Sequence, residues 1–290
     1  MILAPLRGVT IRCFREVFGE IIARVGFTEA ITPFIPAQAG YDPLRDRELK
    51  GAGTDGGFAL KVTPQFIGKD PQALKVCLER VKAAGYDTAD LNCGCPYPMV
   101  RNKGRGSGLL RTPGVLRAML EAGCSVMGPG KFSIKTRLGV ERPDELLALM
   151  PMINEYPLRF LTLHARTARQ MYGGHCNEEA AARIVAQAKM PVVRNGDLAL
   201  GSEGMVGRAF ITYLGGREDI GEYLRRYIAA SQAELCGDAP VLGRLKELLS
   251  YWKLLPAWHR RWNVVKLCRS VEELEAVLHP FGVYLGAAEL

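Results

Sequence analysis

The sequence contains no apolar run of the ~18 residues that a membrane-spanning helix needs. Residues 1–5 enter a short apolar segment without the basic region and long apolar stretch of a secretion signal. Both absences lead us to expect a cytoplasmic protein that has no membrane partner.

Cysteine pairs with the spacing of a metal site are also missing. The eight cysteines are Cys13, Cys77, Cys93, Cys95, Cys124, Cys176, Cys236 and Cys268. None of them forms a C-x-x-C pair, so the spacing indicates neither a zinc site nor a disulfide framework. We expect no bound metal, and the unpaired cysteines fit a reducing compartment.

Acidic residues are outnumbered by basic ones, since 38 Lys and Arg stand against 30 Asp and Glu, a net charge of +8. Such an excess favours a polyanionic partner and says nothing about the fold. The 290 residues are 48% hydrophobic and 23% charged. These are ordinary values for a globular chain of one or two domains.

Much of this basic character lies between residues 241 and 269, where Glu247 is the only acid. The basic and aromatic residues there are Arg244, Lys246, Lys253, Arg260, Arg261, Lys266 and Arg269, with Tyr251, Trp252, Trp258 and Trp262. Cations for phosphates and rings for unstacked bases suit an RNA surface. The alternative is a helix with a solvated basic face over a tryptophan core, and the pattern alone leaves both interpretations open.

Short apolar segments alternate with helical patterns over the first two thirds of the chain. The predicted strands are 2–4, 27–31, 58–67, 88–92, 132–137, 160–164, 191–195 and 205–206. The predicted helices are 11–25, 71–84, 113–122, 144–155 and 178–189, with Gly85 and Gly123 as two of their ends. This alternation predicts an α/β fold, a (β/α)8 TIM barrel. A doubly wound open sheet is the alternative, disfavoured because no G-x-G-x-x-G follows the first strand.

Polar residues recur at the ends of these strands. They are Gln65, Asn92, Lys135, Arg137, His164, Arg166, Asn195 and Asp197. The carboxyl ends of barrel strands converge on one face, where active sites are built. A cluster of this size therefore predicts a functional site at that face.

The most informative segment is 90–96, which reads D-L-N-C-G-C-P, followed by the glycine-rich segment 102–110. A strand that runs into this loop brings the amide of Asn92 and the thiol of Cys95 to one place, and Pro96 stiffens the exit. A thiol held there suits proton transfer or nucleophilic chemistry. The alternative is that both cysteines are small core residues.

Strand alternation ends at the loop near residues 232–239. Beyond it we expect helices at 241–255, 261–267 and 271–279, with Pro256 and Pro280 as helix ends. The predicted division is a TIM-barrel catalytic domain at residues 1–235 and a small all-α domain at residues 240–290.

Eight segments in order resemble the tRNA dihydrouridine synthase family. They are 4–9, 65–68, 90–96, 102–110, 135–139, 164–167, 195–197 and 207–209. Segment 244–251 and the N-C-G-C-P sequence resemble the subgroup that modifies position 16 of the tRNA D-loop.

This resemblance implies an FMN enzyme, with NADPH as reductant, that reduces the C5=C6 bond of a D-loop uridine, U16 in that subgroup. It implies a monomer that binds tRNA through residues 240–290. Cys95 is the implied acid that protonates C5, which agrees with the chemistry of a thiol of pKa about 8.5.

The resemblance also assigns the binding residues. The implied cofactor-binding residues are Ala4, Pro5, Leu6, Gln65, Asn92, Lys135, His164, Asn195, Gly196, Asp197, Gly207 and Arg208. The implied substrate-binding residues are Asn92, Arg137, Arg166, Tyr172, Arg244 and Lys246. Cys93 is expected to be structural.

One segment departs from the family pattern. Only nine residues, 198–206, separate the Asn-Gly-Asp turn from the Gly-Arg turn. A helix of ~11 residues and a strand of ~5 do not fit into this length. We expect the helix to be missing, the last strand to be short and the flavin site to be looser than in full-length relatives.

Two other functions compete with a flavin-dependent tRNA reductase. An FMN-dependent reductase of a small pyrimidine-like substrate needs no basic, tryptophan-rich tail. A non-catalytic RNA-binding relic has no need of Cys95 and Lys135.

Overall fold

The computed structural model describes residues 1–49, 58 and 60–281. The described residues form one sheet of parallel strands in the order β3-β5-β6-β7-β8-β9-β10-β1-β2-β4. The strands are β1 Ile2–Leu3, β2 Glu29–Ile31, β3 Ile35–Pro36, β4 Lys61–Thr63, β5 Gln65–Ile67, β6 Ala89–Cys93, β7 Phe132–Gly139, β8 Leu161–Thr167, β9 Val192–Asn195 and β10 Met205–Val206.

The ten segments correspond to the eight strand positions of a barrel. Strands β2 and β3 are halves of one interrupted barrel strand, and β4 and β5 are halves of the next. Pro64 separates β4 from β5 and has no N–H to donate. The N–H of Gln65 turns instead to the Thr32 hydroxyl at 3.0 Å. The predicted strand 58–67 is therefore two short strands, and its Ala59 lies outside the described residues.

The ring closes between β10 and β1. Met205 pairs with Ile2 on one side and with Asn195 of β9 on the other. Residues 196–204 contain no helix, and β10 has two residues. The (β/α)8 fold, the missing helix and the short last strand are thereby confirmed.

Helices cover the outside of the ring and continue beyond it. They are α1 Arg12–Arg24, α2 Pro71–Ala83, α3 Pro98–Arg101, α4 Pro113–Met127, α5 Glu145–Ile153, α6 Glu178–Gln187, α7 Arg208–Gly215, α8 Ile220–Glu234, α9 Asp238–Leu249, α10 Pro256–Val265 and α11 Val271–Leu278. Asp70 caps α2 by accepting from the N–H groups of Gln72 and Ala73. Among the described residues, no helix is long and apolar enough to cross a membrane.

Two predicted helix ends are wrong. Gly123 lies inside α4 and does not end it. A Cβ at this position would come within 2.1 Å of the Phe132 ring, so the glycine serves close packing. Pro256 begins α10, since proline at the first helical position loses no intrahelical hydrogen bond. Helices α7 and α8 were not predicted.

The C-terminal helices α9–α11 pack against the barrel through tryptophan. Trp252 and Trp258 are fully buried and donate from Nε1 to the carbonyls of Ile211 (2.6 Å) and Gly215 (2.8 Å). One apolar cluster joins these helices to α1, α7 and α8. Of the two interpretations of this segment, the structure shows the tryptophan core for these two rings. Helix α9 begins at Asp238, inside the predicted boundary of 235–240. The division into two domains stays a prediction, and residues 282–290 of the predicted second domain lie outside the described residues.

Candidate active site

A cavity of about 770 Å³ opens at the carboxyl ends of the barrel strands. The predicted site residues that line it are Ala4, Pro5, Leu6, Asn92, Cys95, Lys135, Arg137, His164, Tyr172, Asn195, Gly196, Asp197, Gly207 and Arg208. Gln65, Arg166, Arg244 and Lys246 lie outside this lining. The polar strand ends thus converge on one face, as parallel barrel geometry requires.

Cys95 follows β6 in a loop that its neighbours hold rigidly. Its N–H donates to Asn92 Oδ1 at 2.8 Å, and its carbonyl accepts from the N–H and the hydroxyl of Ser107 at 3.1 and 2.9 Å. Gly106 has a φ of +58°, and a Cβ there would lie 2.8 Å from Cys95 Cβ. The glycine-rich segment therefore approaches the thiol loop more closely than any other residue allows.

The Cys95 thiol is suited to donate a proton. Its side chain is 8% exposed. Burial raises its pKa, although the N–H of Tyr97 and the charges of Arg7 and Arg137 act in the opposite direction. The group is therefore a neutral thiol at pH 7 that faces a cavity. Cys93 is fully buried, and burial raises its pKa as well, which fits a core role.

A buried chain of hydrogen bonds supports Asn92 from below. Asn92 Nδ2 donates to Gln65 Oε1, and Gln65 Nε2 donates to Asp90 Oδ2, both at 2.8 Å. Ser133 donates to the other oxygen of Asp90 at 2.6 Å. Burial raises the Asp90 pKa to about 6, against the lowering effect of these bonds. The chain orients Asn92 so that its oxygen faces the Cys95 loop, and Gln65 lies behind the lining.

Lys135 presents an amine inside the cavity. Its Nζ donates to Asn195 Oδ1 at 2.8 Å, and Asn195 Nδ2 donates to the Met205 carbonyl at 2.7 Å. Burial, and then the charge of Arg137, lowers the Lys135 pKa to about 7. An anion bound beside this amine would restore its full charge.

Arg166 is buried behind His164 and bonded within the protein. It reaches the carbonyls of Gly173 (3.1 Å) and Gly174 (2.6 Å) and the carboxylate of Asp197 (2.6 Å). Its NH1 donates to His164 Nε2 at 3.1 Å. Burial, and then the charge of Lys135, holds the His164 pKa far below its usual value. His164 is therefore neutral, with its proton on Nδ1.

The turns at 195–197 and 207–209 form a glycine cradle beside Arg208. Gly196 has a φ of +98°, and a Cβ there would lie 2.7 Å from both Cys176 Sγ and His164 Cδ2. Gly207 precedes α7 without a side-chain cap. Uncapped N–H groups and a guanidinium are what a phosphate group requires. The residues present therefore fit a phosphate-bearing cofactor.

Arg137 ties the thiol loop to the loop after β8. Its Nε donates to the Gly94 carbonyl at 2.9 Å, and its NH1 donates to the carbonyls of Thr167 (2.9 Å) and Met171 (2.6 Å). The half-exposed Tyr172 ring lies 5.4 Å from the Arg137 guanidinium. Arg137 thus positions both sides of the cavity.

Two predicted substrate residues of the C-terminal segment have partners within the protein. Arg244 pairs with Glu234 at 2.9 Å. Lys246 Nζ donates to the carbonyls of Lys266 (3.2 Å) and Cys268 (2.5 Å). Their contact with RNA stays a prediction.

Several lining residues were not predicted as site residues. They are Arg7, Pro33, Phe34, Tyr97, Glu247 and Tyr251, among others. Glu247 carried a signal, since it is the only acid in a basic segment. Nothing in the local pattern indicated that α9 reaches the barrel mouth.

The sequence profile of dihydrouridine synthase (Dus) matches residues 2–203. The chain belongs to this family. A tRNA-dihydrouridine(16) synthase of Pseudomonas putida is 31% identical over 205 residues, 68% of this chain and 61% of that protein. A tRNA-dihydrouridine synthase B of Vibrio cholerae is 29% identical over 202 residues, 68% of this chain and 60% of that protein. The match thus spans less than two thirds of the length of either relative.

Solved structures with the same fold are more distant in sequence. An old yellow enzyme homologue of Zymomonas mobilis gives a TM-score of 0.53 at 12% identity, over 73% of this chain and 85% of that chain. A morphinone reductase gives 0.52 at 12% identity, over 73% and 82%. Both support the barrel fold of this dihydrouridine synthase family member. Its described residues contain no group of three potential metal ligands among His, Cys, Asp and Glu.

Proposed function

We propose that the protein is a cytoplasmic tRNA-dihydrouridine synthase. It reduces the C5=C6 bond of a D-loop uridine in tRNA, U16, with FMN as cofactor and NADPH as reductant, and it acts as a monomer. The observation that carries the proposal is the neutral Cys95 thiol in one cavity with the Lys135 amine and the glycine cradle. The match to the family over residues 2–203 supports it.

FMN fits the lining in two places. The cradle of Gly196, Gly207 and Arg208 would hold its phosphate, and Lys135 would meet the electron-rich edge of its ring. Residues 4–6, Asn92 and His164 would supply the remaining contacts, with Gln65 behind Asn92. When bound, FMN supplies the hydride that C6 of the uracil requires.

Cys95 supplies the proton. The C5=C6 reduction adds a hydride at C6 and a proton at C5, so an acid must face C5 at neutral pH. A thiol whose pKa is raised by burial keeps its proton until the ring takes it up. Asn92 and Ser107 hold the Cys95 backbone in place for this transfer.

The uridine must leave its stack to reach Cys95. Extruding a base costs a few kcal/mol, and less in a loop than in a helix. Residues 240–290 would offset this cost as the tRNA-binding domain, through the exposed basic residues of α10 and the segments beside it. The other proposed substrate-binding residues are Arg137, Tyr172, Arg244 and Lys246. Arg166, whose guanidinium is already bonded within the protein, would act by positioning its neighbours.

The test is mass spectrometry of unmodified tRNA treated with the FMN-loaded enzyme and NADPH. We expect dihydrouridine at position 16 with wild type and with the matched variant Cys93→Ala, and a large loss with Cys95→Ala. Turnover of free uracil without tRNA would favour the small-substrate reductase. tRNA binding without FMN binding would favour the RNA-binding relic. Full activity of Cys95→Ala would remove the thiol from the mechanism.

A further inference from the structure

Glu247 is an uncompensated carboxylate at the mouth of a cationic cavity. The charged residues of the lining are Arg7, Lys135, Arg137, Asp197, Arg208 and Glu247. Asp197 is bonded to Arg166 and Arg208. Among the described residues, Glu247 has no ion-pair partner, and its side chain is exposed at the rim.

The position of Glu247 is fixed from two sides. It stands on α9, whose Leu245 and Leu248 are buried in the cluster that joins α9 to the barrel. A Cβ on Gly8, in the loop after β1, would lie 3.3 Å from Glu247 Cγ. The carboxylate is therefore held where the C-terminal helices meet the barrel mouth.

Tyr251 follows α9 in the 3-10 turn Ser250–Trp252 and also lines the cavity. Burial, and then the neighbouring Glu247, Tyr172 and Tyr97, raises the pKa of Tyr251 to about 12. The phenol is thus a neutral ring near the other two tyrosines. Both residues line the same cavity, so the ring and the carboxylate address one volume.

The chemistry of a carboxylate limits what it binds in RNA. It repels phosphates, and at neutral pH it can only accept hydrogen bonds. Guanine presents adjacent N1–H and N2–H groups on its Watson–Crick edge, which match two carboxylate oxygens, whereas uracil presents a single N–H on that edge. Stacking on an aromatic ring and bonding to that edge is a common mode of single-strand RNA recognition.

On this basis, which rests on the proposed function, we infer that Glu247 and Tyr251 bind a guanine beside the extruded uridine. Glu247 accepts from N1–H and N2–H, and Tyr251 stacks on the base. Cys95 lies deeper in the cavity than the exposed Glu247, so the base at the rim is a neighbour of the target. Glu247 is then a specificity-determining residue and takes no part in the reduction.

The experiment combines Glu247→Gln with tRNA transcripts in which each D-arm guanine is replaced in turn by inosine, which lacks the N2 amine. Both kcat/KM and equilibrium binding are measured. Wild type should lose about tenfold with inosine at one position, the value of one hydrogen bond to a charged group. Glu247→Gln should treat guanine and inosine alike at that position. Glu121→Gln, an exposed acid on the outer helix α4, should behave like wild type.

Three results would overturn the inference. Glu247→Gln could keep the full loss with inosine, or it could weaken the binding of every transcript equally. It could also tighten the binding of every transcript equally, which would mean that the carboxylate only repels phosphate. The proposed function fails separately, if wild type makes no dihydrouridine on any transcript while the guanine-dependent binding persists.

Discussion

The backbone N–H of Cys95 donates a hydrogen bond of 2.8 Å to the side-chain oxygen of Asn92. The same oxygen accepts from the N–H of Gly94 at 3.1 Å. One amide at a strand end therefore fixes the loop that carries the proposed acid, and its own orientation depends on Gln65 and Asp90.

Replacing Asn92 with Ala should cost about 1–3 kcal/mol of folding free energy, because buried N–H groups and the Gln65 oxygen lose their partner. Dihydrouridine formation should fall by at least tenfold, since the Cys95 loop is released. Urea denaturation and tRNA mass spectrometry measure the two effects. Ser107→Ala is the matched control: the Ser107 N–H still holds the Cys95 carbonyl, so its cost should stay near 1 kcal/mol. Equal losses in both variants would contradict a special role for Asn92.

The stability of the cofactor-free protein should depend on pH through Lys135. Its folded pKa is about 7, below the 10.5 of an exposed lysine. Between these values the unfolded chain binds more protons, so folding becomes more favourable as pH rises from 7 to 10. Lys135→Met lacks this dependence. The free energy of unfolding of the variant, relative to that of wild type, should therefore be highest at pH 6 and lowest at pH 10. Urea midpoints across this range check it, and a constant difference would refute the depressed pKa.

Gly196→Ala should weaken FMN binding more than Gly201→Ala. Both glycines have φ near +90°, so the two variants share the backbone strain. Only at residue 196 would the added Cβ meet the His164 ring and Cys176, whereas at residue 201 nothing lies within 4 Å. Flavin fluorescence titration measures both affinities. Indistinguishable affinities would exclude the 195–197 turn from the phosphate site.

Wild-type FMN affinity should itself be lower than in relatives that keep a helix between the last two strands. Residues 196–204 carry the turn alone, and β10 has two residues. Equilibrium dialysis against a full-length relative under the same conditions is the measurement. An equally tight dissociation constant would show that the turn suffices.

Trp252→Phe should destabilise the protein by about 1–3 kcal/mol, because it removes the bond to the Ile211 carbonyl and part of a fully buried ring. Trp262→Phe, at a half-buried position on α10, should cost less than about 1 kcal/mol. Thermal and urea unfolding measure both. The reverse order would mean that α9–α11 do not depend on this contact.

Sequence patterns predicted the barrel well, because apolar strands and capped helices are local signals. The helix predicted at 71–84 is α2, and the polar strand ends marked the cavity face. Gly123 and Pro256 were misread, because glycine serves close packing as well as helix ends, and proline starts helices as well as ending them.

The site was only partly predictable, for a different reason. Lys135 and Cys95 belong to recognisable segments at strand ends. Arg166 and Gln65 lie just as close to strand ends, yet other side chains cover them, and only the packed chain determines which group faces the cavity. Glu247 reaches the mouth through tertiary packing over more than 200 residues of sequence, which no local pattern encodes.

The missing helix between β9 and β10 leaves the barrel wall one layer thick at that side. Val192 and Val193 of β9 are half-buried and Arg194 is exposed, so water reaches the outer face of the strand. Amide protons should exchange earliest along this thin sector. A ligand phosphate held between Gly196 and Gly207 would bridge it, so that cofactor release and local opening of the wall become one coupled equilibrium.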